Sequence, residues 1–205
     1  MPFNRHLIVA AGLLLLSSCA TTSKPPMAQS PMSQAAHQQH LAKLAQIKSF
    51  ALKGRLGVVT QKQGFSGGID WQHAVNTDNV DVYSPVGGKV ANISKNATAV
   101  ILTKQDGRSV TAQDAESLTE TALGFKLPLS GLSDWALGKP TTNNINSSTW
   151  DENGRLLTLK QDGWDISYEN YADNEGVFLP NKIVLKSEKV NLKLLVEKWT
   201  DVSKQ

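Results

Sequence analysis

Three places in this 205-residue chain carry side chains whose type and spacing could do chemistry. The first, Gly64-Phe65-Ser66-Gly67-Gly68, fits G-x-S-x-G, the turn that presents a nucleophilic serine in one class of hydrolases. That turn needs a strand before the serine and a helix after it. Here Ser66 lies inside a run that keeps alternating apolar and small or polar residues as far as Trp71, and only one histidine, His73, follows it. The second is His37 and His40, one helical turn apart and able in principle to share a metal ion. With no carboxylate or third histidine beside them, the expectation is two surface histidines. The third is Cys19, the only thiol, which excludes a disulfide framework and any thiolate cluster. No phosphate-binding loop, dinucleotide glycine fingerprint or HExxH motif occurs. The expectation is that the chain needs no metal or dissociable cofactor.

The setting of Cys19 gives its thiol a use. Arg5 lies in a polar start, residues 7–16 (LIVAAGLLLL) form an unbroken apolar run, and Ser17 and Ser18 precede the cysteine. A positive n-region, an apolar core too short to span a bilayer and small residues before a cut make residues 1–18 a secretory signal peptide. Leu16-Ser17-Ser18-Cys19 resembles the bacterial lipobox, in which the thiol receives diacylglycerol before cleavage just ahead of it, and the new N-terminus is then usually acylated. An unpaired thiol in an oxidising compartment is a liability that acylation removes. Two or more acyl chains suffice for stable anchoring, since each buried methylene contributes about 0.8 kcal/mol. Lipoproteins kept in the inner membrane typically carry Asp after the Cys; Ala20 stands here, which implies the outer membrane, facing the periplasm.

The elements beyond the anchor read from composition and period. Residues 19–33 hold three of the eight prolines and no large apolar residue except two Met, the make-up of a flexible tether. Residues 34–205 are one domain. A helix is expected over 33–49, with Leu41, Leu44, Ala45 and Ile47 on one face. The period then changes to two: 50–58 and 65–71 form a hairpin, and strands follow around 80–83, 90–93, 99–103 and 108–112. Thr111-x-x-Asp114 reads as a capping box for a helix carrying Ala115, Leu118 and Ala122 and stopped by Gly124. Ser130 is placed to cap a second short helix with Leu132, Trp135 and Ala136, closed by Gly138 and Pro140. Strands resume at 155–160, 164–169, 183–186 and 190–199. The net charge of +3, with no run of Lys and Arg, argues against nucleic acid. Three Asn-x-Ser/Thr triplets, at Asn92, Asn96 and Asn146, are chance matches in turn-rich segments. Alternation leaves open whether the apolar face is a packed core or encloses a cavity.

Several segments, in order, resemble the LolB family of outer-membrane lipoprotein receptors in the Lol lipoprotein-sorting pathway. They are Gly54-Arg55-Leu56 after the first helix, Trp71-Gln72, Ser84-Pro85-Val86-Gly87, Gln105-Asp106-Gly107, the stretch from Gln113 through Leu127-Pro128-Leu129 to Trp135, Gly138 and Pro140, and the last strand over 192–199. The resemblance implies a mainly β, α+β fold: an incomplete antiparallel β-barrel with a helical lid over an apolar cavity. It also implies a monomeric, non-enzymatic receptor that takes lipoprotein cargo from the soluble periplasmic carrier LolA and releases it into membrane lipid. Transfer would run down an affinity gradient. In the family the loop written here Pro85-Val86-Gly87 carries a protruding Leu needed for membrane targeting of cargo, and Val86 stands in its place. Under that reading, alternation assigns Leu56, Phe65, Ile69, Trp71, Val80, Val82 and Leu102 to the cavity, with Leu118, Leu132 and Trp135 from the helices. Two other readings stay open at this level: a structural lipoprotein with a filled core that binds protein partners only, and an acyl-ester hydrolase using Ser66.

Overall fold

The computed structural model describes residues 30–123 and 129–204. The signal peptide, Cys19 and the tether up to residue 29 lie outside the described residues, as do Gly124, Leu127 and Pro128. The chain opens with helix α1 (Pro31–Ala45) and strand β1 (Ile47–Thr60). A meander follows: β2 (Gly64–Ala74), β3 (Thr77–Tyr83), β4 (Lys89–Lys95), β5 (Val100–Lys104) and β6 (Ser109–Ala112). Helices α2 (Ala115–Leu123) and α3 (Leu129–Ala136) interrupt it. A second meander of β7 (Ile145–Trp150), β8 (Leu156–Gln161), β9 (Trp164–Asn174), β10 (Val177–Lys186) and β11 (Val190–Lys204) completes the fold.

All eleven strands form one antiparallel sheet in the order β6-β5-β4-β3-β2-β1-β11-β10-β9-β8-β7. The first and last strands pair at its centre, Ile47 opposite Lys204 and Thr60 opposite Val190. The edges β6 and β7 do not pair with each other, so the barrel is incomplete, and α2 and α3 are the connection between those two edges. Twisted strands curl when bulges and close contacts permit it. Register shifts interrupt β1 against β11, and in β2 a Cβ on Gly67 would lie 1.9 Å from the Tyr83 carbonyl oxygen of β3. Only glycine lets the two backbones approach that closely.

Four local expectations need correction. The first helix runs over Pro31–Ala45, not 33–49: Ser30 caps it by accepting a 3.1 Å bond from the Ser33 N–H, and Pro31 occupies the first turn, where a missing N–H costs nothing. Ile47 is already strand because β11 pairs with it. His37 and His40 are not surface residues but are buried, at 5% and 7% exposure. The cap of α2 is Asp114, whose carboxylate accepts from the Ser117 N–H (2.7 Å) and hydroxyl (2.9 Å), while Thr111 is strand. Ser130 falls inside α3, not at its cap. Strand β7 escaped notice because its sequence, INSSTW, is polar, as suits an edge. The Gly138 stop holds: its φ is +78°, and its N–H and that of Lys139 donate back to Trp135 and Asp134.

Candidate functional site: an apolar cavity and its rim

Strand alternation turns one side chain in two toward the concave face, and α3 lies across that face. Between them is a small cavity of about 80 Å³, lined by Leu56, Ile69, Trp71, Val80, Val82 and Ile93 from β1–β4, by Leu132, Trp135 and Ala136 from α3, and by Ile183, Leu185, Leu192 and Leu194 from β10 and β11. A larger compartment of about 370 Å³ adjoins it across Leu56, Val82, Ile93 and Leu192. Its other walls are Val58, Phe65, Val90, Ala91 and Leu102, and its lining reaches Thr60, Gln63 and Gly64 at the β1–β2 turn. That volume falls within the range of small-molecule sites.

Of the ten side chains assigned to a cavity from sequence, nine line one of these spaces. Leu56 and Val82 touch both, Ile69, Trp71, Val80, Leu132 and Trp135 line the smaller, and Phe65 and Leu102 line the larger. Leu118 does not: it is 1% exposed in the packed core, because α2 buries its apolar face against β5 and β6 at the sheet edge. The walls from β4, β10 and β11 were missed. Ile183, Leu185, Leu192 and Leu194 do alternate, but only the β1–β11 pairing brings them opposite Leu56.

Polar groups hold the cavity's large rings. Trp71 donates its Nε1–H to Asp78 (2.9 Å), which also bonds His73 Nδ1 (2.7 Å) and lies 3.4 Å from the Lys95 ammonium. Burial works to raise the Asp78 pKa, but the hydrogen bonds from His73 and Trp71, then the charges of His73 and Lys95, outweigh it and hold the carboxyl below its usual range. Phe50 packs edge-on against Trp71 and Trp199, with ring centres 5.2 and 5.3 Å apart. On the helical side, Trp135 donates to Gln161 Oε1 (3.0 Å). Gln161 also accepts from the Thr141 N–H and donates to the Thr141 and Asn143 carbonyls, so a fully buried amide is satisfied at every position and fastens α3 to β8.

Antiparallel order sets which turns share an end of the barrel. The β1–β2, β3–β4, β5–β6, β8–β9 and β10–β11 turns all lie at one end, the end to which the larger compartment extends. Val86 stands there. Ser84-Pro85-Val86-Gly87 is a tight turn closed by the Gly87 N–H donating to the Ser84 carbonyl (2.9 Å), with Gly87 at φ +91°. The Val86 side chain is 95% exposed and does not fold back on the core.

The other end is shut. There α1 packs on the β7–β8 turn: His37 stacks flat on Trp150 (ring centres 4.1 Å apart) and donates Nδ1–H to the Gly154 carbonyl at 2.7 Å. Gly154 has φ +78°, and a Cβ there would meet the α1 backbone at 2.3 Å. Burial, then the neighbouring His37, pushes the His40 pKa down to about 4 against the opposing pull of Asp151. These histidines are packing groups.

Ser66 lies within β2, which continues as strand to Ala74, so no helix follows it. His73 is seven residues further along the same strand, about 23 Å away at strand rise and on the opposite face. The geometry does not join them.

Comparison with known proteins fits this architecture. The sequence model of the family described as "Outer membrane lipoprotein LolB" matches residues 48–199. Relatives carrying that name include proteins from Nitrosomonas europaea (37% identity, 76% of this chain and 74% of that one) and Thiobacillus denitrificans (33% identity, 95% and 97%). Among solved structures, a DUF1329 family protein from Desulfovibrio piger shares the fold at a TM-score of 0.51 with 4% identity, covering 86% of this chain and 94% of that one. A LolA superfamily protein from Nitrosomonas europaea aligns at 0.49 with 11% identity, over 80% and 92%. An open antiparallel barrel, a helix fastened across its apolar hollow and a family match over three quarters of the sequence lead to one conclusion: the chain belongs to the LolB family of outer-membrane lipoproteins.

Proposed function

We propose that this chain is the outer-membrane receptor that accepts lipoproteins from the periplasmic carrier LolA, shields their acyl chains in the apolar cavity and passes them into the membrane. The observation that carries the reading is the compartment of about 370 Å³, apolar in its walls and reaching the same rim as the exposed Val86. Leaving acyl chains in water costs about 0.8 kcal/mol per methylene, tens of kcal/mol for whole chains, so a carrier-to-receptor handover needs a hollow of this kind. A filled-core structural protein has no use for that volume. Pro85, Val86 and Gly87 form the membrane-insertion turn, and α3, held by Gln161, is the lid. Cys19, cleaved and acylated with diacylglycerol and an N-acyl chain, is the anchor, and the receptor works as a monomer.

The test uses the mature chain from residue 19 with Cys19→Ala, so that no acyl group of its own competes, mixed with carrier from the same organism loaded with a labelled lipoprotein. Stable movement of the label to this chain is the expected result. Label that stays on the carrier overturns the reading.

A further inference from the structure

The five turns at the cavity rim have a lysine-rich make-up in common. Each is flanked by or contains a lysine, and four of these, Lys62, Lys104, Lys186 and Lys189, are exposed and have no ion-pair partner among the described residues. Lys89 is held by Asp81 at 2.8 Å and Lys160 by Asp165 at 3.0 Å; Arg108 is paired with Asp106. Glu188, between Lys186 and Lys189, and Asp162 are the remaining acidic groups there. At the shut end Lys43, Lys48, Lys95 and Arg155 stand among Asp78, Asp151, Glu152, Asp173 and Glu175, with Lys95 paired to Asp78 and Arg155 to Asp151, so cations there do not outnumber carboxylates. Val86 sits within the basic rim: its turn lies between the β1–β2 turn of Lys62 and the β5–β6 turn beside Lys104, because β3 and β4 lie between β2 and β5 in the sheet.

An exposed apolar tip between turns that carry unpaired ammonium groups, on a rim that bears two more, matches the chemistry of a bilayer surface bearing anionic headgroups. The apolar side chain enters the headgroup boundary, while flexible lysines reach phosphates around it. We infer that the rim carrying Lys62, Lys104, Lys186 and Lys189 docks on anionic phospholipid headgroups, presenting Val86 and the cavity mouth to the membrane together. The inference rests on the receptor reading only in placing the domain beside a bilayer. A sheet end with its cations neutralised by neighbouring carboxylates, as at Lys89, would not discriminate between lipids. The four unpaired lysines do.

The test is co-sedimentation of the mature Cys19→Ala chain with vesicles of phosphatidylethanolamine and phosphatidylcholine, with and without one third phosphatidylglycerol. Partitioning is expected to rise at least tenfold with phosphatidylglycerol and to fall as salt goes from 50 to 300 mM. Each rim lysine changed to Gln is expected to cost about fivefold, so that Lys62→Gln with Lys104→Gln and Lys189→Gln lowers binding on the order of a hundredfold. Glu152→Lys at the shut end should leave it unchanged, and all variants should melt with the parent because these side chains are exposed. Equal binding to both vesicle types, or a triple variant that still binds, overturns the inference. A triple variant that keeps vesicle binding but loses uptake from the carrier also overturns it, assigning the lysines to the carrier protein instead. A parent chain that binds anionic vesicles yet takes no cargo counts against the receptor reading and leaves the docking surface standing.

Discussion

The two ends of this barrel are built from the same strands and do opposite things. At one end α1 closes on the β7–β8 turn through His37 stacked on Trp150, a 2.7 Å bond to Gly154 and a backbone contact that leaves no room for a Cβ. At the other end the turns are short, no helix among the described residues packs over them, and the apolar walls of the concave face run out toward Phe65, 36% exposed, and Val86, 95% exposed. Sealing a barrel end takes groups that fill space and satisfy one another's hydrogen bonds. Leaving an end open takes only the absence of such groups, together with a reason for apolar surface to persist there. The asymmetry teaches that the hollow is directional, running toward the end that carries Val86.

The strongest way to break that comparison is at the tip of the open end. Val86→Glu should leave the melting temperature within a degree of the parent, because the side chain touches nothing. It should permit cargo uptake from the carrier yet abolish release into vesicles, because a carboxylate resists transfer into the acyl region. Normal release by this variant would remove Val86 from the mechanism. Next comes the compartment itself. Ala91→Phe places a ring where Ala91 lines the larger space. We expect at least a tenfold loss of cargo uptake in the labelled transfer assay, with unfolding free energy changed by less than about 1 kcal/mol because the ring enters empty volume. A filled core would respond the other way, losing stability through overpacking.

A smaller effect sharpens the shut end. His40 is neutral in the folded chain down to about pH 4, whereas in the unfolded chain it protonates near pH 6.5. Its contribution is therefore fully present above pH 6.5 and is lost as pH falls from there to about 4, up to roughly 3 kcal/mol. Urea unfolding at pH 7, 5.5 and 4 should show this loss in the parent and not in His40→Leu. Identical pH slopes would mean that α1 is not clamped as described. The smallest effect expected is none: Ser66→Ala should transfer cargo at the parent rate, since Ser66 is an exposed strand residue with no helix after it.

Much of the site was legible because a strand shows its faces locally. Period two placed Leu56, Ile69, Trp71, Val80, Val82 and Leu102 on one side of the sheet without any knowledge of partners. The helices were less legible: α1 buries His37, His40 and Leu44 on a face that is half polar, so hydrophobic spacing extended it into Ile47 and left both histidines outside. Leu118 shows the same limit. Its helical face is apolar as read, but helical spacing does not say whether that face meets a hollow or a sheet edge.

By itself, then, the sequence determined the signal peptide and the lone Cys19, the order of the β-meander strands around polar turns, the Gly138 stop, and an apolar residue between Pro and Gly at a turn. These depend on neighbours a few residues apart. Only the tertiary structure decided that Ile47 pairs with Lys204, that β10 and β11 supply walls opposite Leu56, that β6 and β7 stay apart with α3 between them, and that Val86 and the unpaired lysines share one rim. Those are matters of closure between separate elements of the chain, where twist, strand register and the end left uncovered set the geometry, and no local period carries that information.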